Sequence, residues 1–577
     1  MINSELAKEF NEAADILEYN KVEWKPRAYR KAARRISDYS EDIEQLYRRE
    51  GKKGLEKIEG IGERIADHIA EYIETGKIKK FEELKKNAPK NIPKLMAIEG
   101  LGPSKIRVLS KKLGVESLED LKKAIGEQKI RGLRGFGEKT EKNIAESVAQ
   151  YERSHERMLI NRAMDAAEEI IAYLEKNAGP EKIDYAGSLR RMKETIGDID
   201  LLAQAEKPEK LIDAFASMPN VGRVILKGST KSTVILKDGI SVDLRVVPRE
   251  SYGSALQYFT GSKDHGIALR DYAIRKGYKL SEWGLFKRLK GGAQGEMAAG
   301  EKEEDVYSTL GLEYMPPEMR ENRGEIELAL KKQIPKLVEL KDIRGDLQVH
   351  TKYSDGSSTI EDMAKKADSL GYEYFAVTDH SPSERIARGM TEKEIKKQWD
   401  EIEKVQKKVK VKILKGAEVD ILPDGKLDYP NEVLKELDVV LASVHSRFKS
   451  DEKEMTQRII KALEEPYPII LSHPTGRIIG KREGYKVNLD KIFQKAEDEK
   501  KIMEINADPE RLDLNDSAII EAKKYKLKFC IDTDSHSPEM MDFMRYGVGM
   551  ARRGWLEKKD VVNTLSLKEL SSLLKFE

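Results

Sequence analysis

From Arg344 onward the chain alternates short apolar runs with polar helical segments, and this alternation most restricts the possible folds. Each apolar run has the length and composition of a buried strand. Strands that alternate with helices along a chain form parallel sheets or βα barrels. The second half of the chain is therefore predicted to be one parallel βα unit. Its strand-like runs are YFAVTD, KILKGAEVDIL, VVLASVH, PIILSHP, KIMEINA and KFCIDTD.

Five of the eight histidines lie in this half, each at the end of a strand-like run, and acidic residues accompany them. Catalytic groups of a βα barrel gather at the carboxyl ends of its strands. Imidazoles and carboxylates together bind Zn²⁺ or Mn²⁺. A single buried histidine is usually a core residue, but five at equivalent positions predict a metal cluster. The candidate residues are His350, His380, His445, His473 and His536, with Asp355, Asp379, Glu418 and Asp534.

This pattern resembles the PHP (polymerase-and-histidinol-phosphatase) domain over about residues 341–577. The resemblance implies a distorted (β/α)7 barrel that hydrolyses a phosphate ester with a water activated by Mn²⁺ or Zn²⁺. Asp379 would either orient a metal ligand or cap a strand. The resemblance also implies three metal sites: His350, Glu418 and Asp534; Glu418, His445 and His473; and Asp355, His380 and His536.

One position departs from the PHP pattern. The family normally begins with His-x-His, whereas this chain has Gln348-Val349-His350. An amide oxygen is a weaker ligand than an imidazole, so one metal would bind weakly or be absent, and the activity of the site stays open. In the segment HPTGR, Arg477 would either hold a substrate phosphate or be a surface charge.

The stretch GSLRRMKETIGDID, residues 187–200, ends in two carboxylates, Asp198 and Asp200. Residues i and i+2 of a strand face the same way. A third carboxylate, Asp243 in ISVDLRVV, could reach the same place from a neighbouring strand. Three converging carboxylates suit Mg²⁺, and two such ions align a hydroxyl with a phosphate. The alternative is three acidic side chains that face water at strand ends.

Gly187 and Ser188 precede this pair of aspartates, and the segment YFTGSKDHGIALR follows at 258–270. Together these motifs resemble X-family DNA polymerases, such as DNA polymerase beta, over about residues 1–315. The resemblance implies that Asp198 and Asp200 bind two ions, Mg²⁺ or Mn²⁺, and that Asp243 binds the catalytic one. It also implies a dNTP-binding set: Gly187, Ser188, Arg191, Tyr258, Phe259, Gly261 and Arg270.

Alternative readings remain for part of this set. Tyr258 and Phe259 could be core residues, and Arg270 could form a surface salt bridge. Gly266 stands where the family often carries a polar residue that contacts the base, so contact with the base is doubtful there.

Three glycine turns punctuate the first 150 residues: IEGIGERIADHIAEYI, IEGLGPSKIRVLSKKLG and LRGFGEKTEKNIAESV. In a Gly-x-Gly turn before a helix, free backbone N–H groups can bind a phosphate. Residues 51–150 hold 22 Lys and Arg against 16 Asp and Glu, which favours nucleic acid. These segments resemble the helix–hairpin–helix motifs of DNA repair proteins; the alternative is a plain helix–turn–helix with glycine caps. The candidate DNA-binding residues are Gly60, Gly62, Gly100, Gly102, Gly135 and Gly137.

His68 stands where relatives with 5′-deoxyribose-phosphate lyase activity use a lysine nucleophile. An imidazole does not form the required imine, and the nearby Lys77, Lys79 and Lys80 are interpreted as solvated charges. Lyase activity by this route is therefore not expected.

The single cysteine, Cys530, excludes a disulfide framework and a cysteine-built metal site. No signal peptide and no apolar run of about 18 residues is visible, so we expect an intracellular, cytoplasmic protein of prokaryotic type, without a membrane span. The net charge of +2 indicates no particular partner.

The patterns together predict a multidomain α+β protein: a helical helix–hairpin–helix N-terminal region, a nucleotidyltransferase palm and a C-terminal distorted (β/α)7 barrel. The expected divisions are an N-terminal helical domain at 1–85, duplex-binding helices at 86–150, the palm at 151–250, a nucleotide-selection subdomain at 251–318, a linker at 319–340 and the PHP domain at 341–577.

The leading hypothesis is a DNA polymerase for short-gap, base-excision-type repair that acts on gapped or recessed DNA with dNTPs. The PHP domain would be a 3′-5′ exonuclease or a 3′-end-processing enzyme, with abasic-site incision as a further activity. Two alternatives stay open: a phosphatase of small esters tethered to a DNA-binding module, and a gapped-DNA scaffold with an inactive PHP domain.

Overall fold

The computed structural model describes residues 2–22, 24–38, 43–58, 60–86, 92–96, 98, 101–155, 157–289 and 294–576. It confirms the predicted multidomain α+β architecture. A helical N-terminal region (2–155) precedes a central region (158–331) built on a mixed sheet, and a parallel barrel (345–576) ends the chain. Within these residues, no helix has the length and apolar character needed to cross a membrane.

The N-terminal region buries two separate apolar clusters. Phe10 and Phe81 lie in the first, and Leu95 and Leu121 lie in the second. Gly51, with φ +61°, breaks α3 into two segments. The helices are α1 (Ile2–Tyr19), α2 (Lys25–Asp38), α3 (Ile43–Glu56), α4 (Glu63–Thr75), α5 (Lys79–Lys86), α6 (Ile92–Met96), α7 (Pro103–Leu113), α8 (Leu118–Gly126) and α9 (Glu138–His155).

The central region contains a five-stranded sheet of order β2-β4-β7-β6-β5, in which only β4 and β7 run parallel. A second, antiparallel sheet has the order β10-β9-β8, and β1 pairs with β3. The elements are β1 (Met158–Leu159), α10 (Ile160–Ala178), β2 (Lys182–Tyr185), α11 (Gly187–Arg190), β3 (Thr195–Ile196), β4 (Ile199–Gln204), α12 (Pro208–Ala216), β5 (Val221–Lys227), β6 (Lys231–Leu236), β7 (Ser241–Val247), α13 (Tyr252–Thr260), α14 (Lys263–Arg275), β8 (Tyr278–Ser281), β9 (Gly284–Arg288), β10 (Gln294–Ala299), α15 (Glu303–Thr309) and α16 (Glu325–Lys331).

The stretch 319–340, predicted as a linker, alternates exposed residues with buried ones that contact the regions on either side. Arg320 is fully buried and bonds the buried Glu303 at 2.5 Å, and Arg190 of α11 bonds the other oxygen of Glu303 at 2.8 Å. These arginines hold the pKa of Glu303 at about 2 despite its burial. Val338 is buried and pairs with the Leu556 carbonyl of the barrel. Paired prolines and a charged helix gave no sign of these buried partners.

The barrel is a seven-stranded parallel sheet in sequential order, β11 to β17. Its first and last strands meet through an isolated bridge between Val349 and Ser535, so the barrel is nearly closed. The elements are β11 (Gly345–Val349), α17 (Ile360–Ser369), β12 (Tyr374–Val377), α18 (Glu392–Gln406), β13 (Lys412–Asp420), α19 (Asn431–Leu434), β14 (Val439–Ser443), α20 (Glu452–Leu463), β15 (Ile469–Leu471), α21 (Leu489–Asp498), β16 (Ile502–Asn506), α22 (Asp516–Lys523), β17 (Lys528–Asp532), α23 (Met544–Arg553) and α24 (Leu567–Leu574).

Side-chain caps fix where several helices begin. Thr359 and Asp362 form a reciprocal capping box at the start of α17, and Ser566 and Glu569 form another at α24. Such caps satisfy backbone N–H groups that the first helical turn leaves free, and each contributes about 1 kcal/mol. Within the described residues, six short 3-10 helices complete the secondary structure: Arg249–Ser251, Pro317–Met319, Leu340–Asp342, Pro538–Phe543, Lys558–Asp560 and Val562–Thr564.

One apolar cluster runs through both the five-stranded sheet and the outer face of the barrel. It includes Ile199 and Val242 from the sheet and Val548 and Met550 from α23 of the barrel. Because a continuous core resists relative movement of its parts, the sheet and the barrel form one packed body.

Candidate metal centres and nucleotide-binding turn

The structure brings the three predicted aspartates of the central region together. Asp198 lies just before β4, Asp200 lies in β4, and Asp243 lies in the parallel neighbour β7. Asp200 and Asp243 are register partners across the two strands. Thr233 donates its hydroxyl to Oδ1 of Asp243 and so orients that carboxylate.

The electrostatics of this group fit a divalent cation. Burial, and then the charges of Asp198 and Asp243, raise the pKa of Asp200 to about 7. Burial and Asp243 also raise the pKa of Asp198. Carboxylates that repel one another in a half-buried place lower their energy by sharing a hard cation, and an all-oxygen donor set suits Mg²⁺ or Mn²⁺.

Gly187 begins α11 directly beside these aspartates. Its φ is +57°, and a Cβ atom there would lie 2.1 Å from Oδ2 of Asp200. A residue with a side chain would therefore displace the carboxylate. Ser188 and Arg191 follow on the same turn and line a cavity of about 450 Å³ together with Arg157 and Lys193.

Arg191 links this turn to the second predicted nucleotide segment. Its Nη1 donates to the carbonyl of Thr260, and a Cβ atom on Gly261 would lie 3.3 Å from the same nitrogen. Its Nε donates to Oε1 of Glu321 at 3.1 Å. The structure thus brings Arg191 and Gly261 together.

Tyr258 and Phe259 are half-buried at the end of α13, with ring centroids 5.1 Å apart. The Arg270 guanidinium lies 5.8 Å from the Tyr258 centroid, and Arg245 lies 4.6 Å from that of Phe259. Phe259 also packs against a small apolar cluster that includes Tyr252 and Leu256, so it is partly a core residue. Arg270 makes a cation–π contact with Tyr258.

The glycine turns of the N-terminal region share one geometry. Gly60 and Gly135 have φ of about +90°, which favours glycine. Gly62 and Gly102 are the residues before α4 and α7, and no side chain caps either helix. Gly62, Gly102, Gly135 and Gly137 are exposed, whereas the residues between the glycines, Ile61, Leu101 and Phe136, are buried anchors. Gly100 lies outside the described residues.

His68 packs among aromatic rings near the first glycine turn. Its ring centroid lies 5.2 Å from that of Phe81 and 6.1 Å from that of Tyr29, whose hydroxyl is 3.3 Å from Nε2. Burial lowers the pKa of His68, so its neutral imidazole is a packing group. The neighbouring Lys77, Lys79 and Lys80 are exposed.

In the barrel, the predicted ligands converge at the carboxyl ends of the strands. In each of the three predicted metal sites, the histidines contact a shared carboxylate, which is Glu418 in two sites and Asp355 in the third. The histidines that follow β11, β12, β14, β15 and β17 all take part, with a carboxylate from β13. In the first site, His350 Nε2 lies 3.0 Å from Asp534 Oδ1 and 3.4 Å from Glu418 Oε2. In the second, Glu418 Oε1 lies 3.2 Å from His445 Nε2 and 2.8 Å from His473 Nε2. In the third, Asp355 Oδ2 lies 3.6 Å from His380 Nε2 and 3.2 Å from His536 Nε2.

The charges of this cluster indicate bound cations. Despite burial, Glu418 and Asp420 raise the pKa of His445 to about 10, and Asp355 and Asp534 raise that of His536 to about 9. The same contacts lower the pKa of Glu418, Asp355 and Asp534. These raised pKa values favour protonated His445 and His536 in the absence of metal, and metal binding would release those protons.

The donor atoms fit this interpretation. Both ring nitrogens of His350 and the Nδ1 atoms of His380 and His473 are buried and have no hydrogen-bond partner within the described residues. Buried polar atoms normally find a partner, so the nitrogens of His350 and His380 that lie near carboxylates without a hydrogen bond are suited to a shared cation. The mixed imidazole and carboxylate set suits Mn²⁺ or Zn²⁺.

Gln348 is buried beside this cluster and its amide is already engaged. Its Oε1 accepts from Ser472 at 3.0 Å, and its Nε2 lies 3.3 Å from Oδ1 of Asp534. In this orientation the amide nitrogen faces Asp534, a predicted metal ligand, and the amide oxygen faces Ser472. Ser472 also bonds the buried Glu504, whose pKa is raised by burial and by nearby aspartates.

Three residues of the cluster were missed in the sequence. Asp420 accepts from Nδ1 of His445 at 2.7 Å and so turns Nε2 of that ring toward Glu418. The buried Glu504 accepts from the His473 backbone N–H. Arg511 reaches Asp534 at 3.4 Å. Asp420 could have been found, because it lies two residues after Glu418 on the same strand; Arg511 follows a strand with no motif around it.

Two predicted residues have clear partners. Asp379 accepts from Thr351, Ser354 and Gln398, so its buried carboxylate anchors the loop after β11 beside the ligand His350. Arg477, predicted as a phosphate ligand or a surface charge, is half-buried, and its Nη2 donates to Glu194 of the central region at 2.7 Å and to the Leu512 carbonyl. Its guanidinium is used in the contact between the two halves.

Comparisons with protein families match four segments of the chain. A helix-hairpin-helix domain matches residues 1–78, and a SAM-like helix-hairpin-helix tandem matches 92–149. The DNA polymerase beta thumb matches 255–321, and the PHP domain matches 346–508.

Among curated proteins, the chain is 38% identical over 555 residues to the DNA polymerase/3′-5′ exonuclease PolX of Bacillus subtilis (strain 168), covering 96% of this chain and 95% of that protein. It is 30% identical over 203 residues to a probable phosphatase of Thermoanaerobacter sp. (strain X514), covering 33% of this chain and 78% of the phosphatase. It is 27% identical over 296 residues to DNA polymerase lambda of Arabidopsis thaliana, covering 46% of this chain and 53% of that polymerase.

Proposed function

The chain belongs to the PolX family, X-family DNA polymerases that carry a PHP domain and 3′-5′ exonuclease activity, and we propose that it fills short gaps in DNA in base-excision-type repair. The observation that carries the proposal is the register pairing of Asp200 with Asp243 beside the Gly187 turn. The arrangement supports the proposal because the carboxylates lie beside a turn whose donors would bind a triphosphate.

In the polymerase site, Asp198 and Asp200 would hold both ions and Asp243 the ion beside the primer 3′-hydroxyl. When bound, Mg²⁺ or Mn²⁺ stabilises the charge that develops during phosphoryl transfer. The Gly187 turn, Ser188 and Arg191 would bind the triphosphate. The half-buried rings of Tyr258 and Phe259, with Gly261, would line the sugar, and Arg270 would contact the template side.

The exposed glycine turns support DNA binding through backbone phosphates, without recognition of the base sequence. Gly62, Gly102 and Gly137 each precede a helix, and backbone N–H groups there would bind phosphates of gapped or recessed DNA. Gly60, Gly100 and Gly135 would shape the same turns. We assign duplex binding to residues 1–150, with the division near residue 86, nucleotide transfer to 151–318, and end processing to 341–577, joined by 319–340.

The barrel would hydrolyse phosphodiesters at 3′ ends, and incision at abasic sites would use the same centre. Glu418 would bridge two ions, and Asp355 would hold a third with His380 and His536. When bound, Mn²⁺ or Zn²⁺ supplies an activated water and polarises the phosphate. Asp420 would keep His445 in the ligating tautomer. Lyase activity through His68 is not part of the proposal, since a packed imidazole offers no amine.

Hydrolysis of small phosphate esters is a second candidate for the barrel alone. The observation that favours it is the 30% identity of this part of the chain to a probable phosphatase. Phosphate release from histidinol phosphate, measured beside hydrolysis of a recessed 3′ end, separates the two substrates.

We expect faster synthesis on a short gap than on an open recessed primer. Turns that grip both sides of a gap would add binding energy, and a preference of about tenfold in kcat/KM corresponds to ~1.4 kcal/mol. The measurement compares single-turnover extension of a five-nucleotide gap with a 5′ phosphate, the same gap without it, and a recessed end. Equal rates on all three would contradict gap filling, and an abasic duplex in the same assay tests incision.

The affinity of the polymerase site for divalent metal should fall below pH 7. The pKa of Asp200 is raised to about 7, so its proton is bound below that pH and must leave when a cation enters. Competition with one proton reduces the affinity about tenfold for each pH unit below 7 and leaves it constant above. Mn²⁺ binding without nucleotide, measured from pH 5.5 to 8.5 and corrected with Asp200→Asn, checks this; a difference that does not change with pH would contradict it.

A further inference from the structure

Helix α23 of the barrel lies against the nucleotide-binding turn of the polymerase half. Its last residue, Arg553, is almost fully buried. Arg553 Nη1 donates to the backbone carbonyl of Arg191 at 2.7 Å and to Oε1 of Glu321 at 3.0 Å. Its Nη2 donates to Asp516 of the barrel at 2.5 Å. A buried guanidinium that donates to three acceptors is held in one orientation, and here it links the two halves of the chain.

Glu321 completes a short chain of contacts. The same oxygen, Oε1, that accepts from Arg553 also accepts from Nε of Arg191 at 3.1 Å. Arg553 therefore fixes Arg191 twice, through the main-chain carbonyl and through the carboxylate that orients its guanidinium.

Two further observations place the barrel against this turn. A Cβ atom on Gly549 of α23 would lie 2.5 Å from Cε of Met192, so this glycine makes room for the residue after Arg191. The 450 Å³ cavity lined by Ser188 and Arg191 is also lined by residues of the barrel. Those residues are Asn515, Asp516, Met550 and Arg553.

We propose that Arg553, a residue of the exonuclease half, is a positioning residue for the polymerase: it holds Arg191 in the orientation that binds the dNTP triphosphate. The inference rests on the proposed role of Arg191. It makes nucleotide affinity a joint property of both halves, although no substrate atom touches Arg553.

The test is steady-state synthesis by the full-length chain with Arg553→Met and Arg553→Lys. We expect Arg553→Met to raise the KM for dNTP about tenfold with a smaller change in kcat, and Arg553→Lys to restore part of the affinity. Exonuclease activity on single-stranded DNA should stay within about twofold of the unmodified chain, because the barrel cluster does not include Arg553.

Arg552→Met is the matched control. Arg552 lies on the same helix and also joins the halves, through Glu318 at 2.7 Å and the Val338 carbonyl at 3.0 Å, without touching the turn. It should leave the KM for dNTP within about twofold. An equal increase in the KM for dNTP in Arg552→Met and Arg553→Met would show that the effect arises from a weakened interface alone, and it would overturn the proposal.

A double-mutant cycle separates this inference from the function on which it rests. If Arg191→Ala does not raise the KM for dNTP, the proposed role of Arg191 fails. If Arg191→Ala raises it and Arg553→Met does not, the positioning role fails. In the Arg191→Ala background, Arg553→Lys should add nothing; an additive effect would overturn the proposal, and this arm serves if Arg553→Met does not fold.

Discussion

Replacing Asp200 by Asn is expected to reduce dNTP incorporation by at least about 1,000-fold and to leave 3′ hydrolysis unchanged. Asn keeps the volume of the side chain but removes the anionic oxygen that would be shared by two ions. A loss of 1,000-fold corresponds to ~4 kcal/mol of transition-state stabilisation, a reasonable contribution for a ligand at a two-metal centre. Single-turnover primer extension, with 3′ trimming of the same primer without dNTPs, measures both effects.

Folding stability provides the control for this variant. Burial and two neighbouring carboxylates raise the pKa of Asp200, so its charge destabilises the metal-free fold above pH 7. Asp200→Asn removes that charge, and the urea midpoint at pH 8 should be equal or higher. Synthesis retained at a tenth or more of the original rate would contradict the assignment of this site.

The reciprocal experiment removes barrel ligands. His473→Ala and His536→Ala should each reduce 3′-5′ hydrolysis by at least about 100-fold and leave synthesis within twofold. His473 contacts Glu418, and His536 contacts Asp355, so the two variants affect opposite sides of the cluster. The measurement is release of the 3′-terminal nucleotide together with the stoichiometry of Mn²⁺ and Zn²⁺.

The two histidine variants serve as controls for each other. His536 is partly exposed and His473 is buried, so a folding defect should appear only in the second, whereas a loss of chemistry should appear in both. Unchanged trimming by both variants would show that the exonuclease centre lies elsewhere. Loss of synthesis in either variant would show that the barrel centre supports the polymerase.

The parts of these sites that local spacing determines could be predicted. Asp198 and Asp200 share a strand face through the two-residue period, and the barrel histidines follow strand-like runs that can be recognised one at a time. To include Asp243, we had to assume that its strand lies next to the strand of Asp200, and the pairing of β4 with β7 supports that assumption.

What could not be predicted depends on contacts between distant segments. Glu504 and Arg511 join the metal cluster only because the barrel closes around them. Arg477 resembled a phosphate ligand, but its partner Glu194 lies 283 residues earlier. The segment 319–340 looked like a tether because Arg320 carries no local sign of its buried partner Glu303.

The apolar cluster shared by sheet and barrel sets a condition on how DNA uses the two centres. With both centres in one packed body, a primer terminus that moves from one centre to the other would not be carried there by a swinging domain. The 3′ strand would instead have to unpair and cross the distance to the barrel centre, so the length of strand that melts would set how often the exonuclease reaches a primer end held by the polymerase.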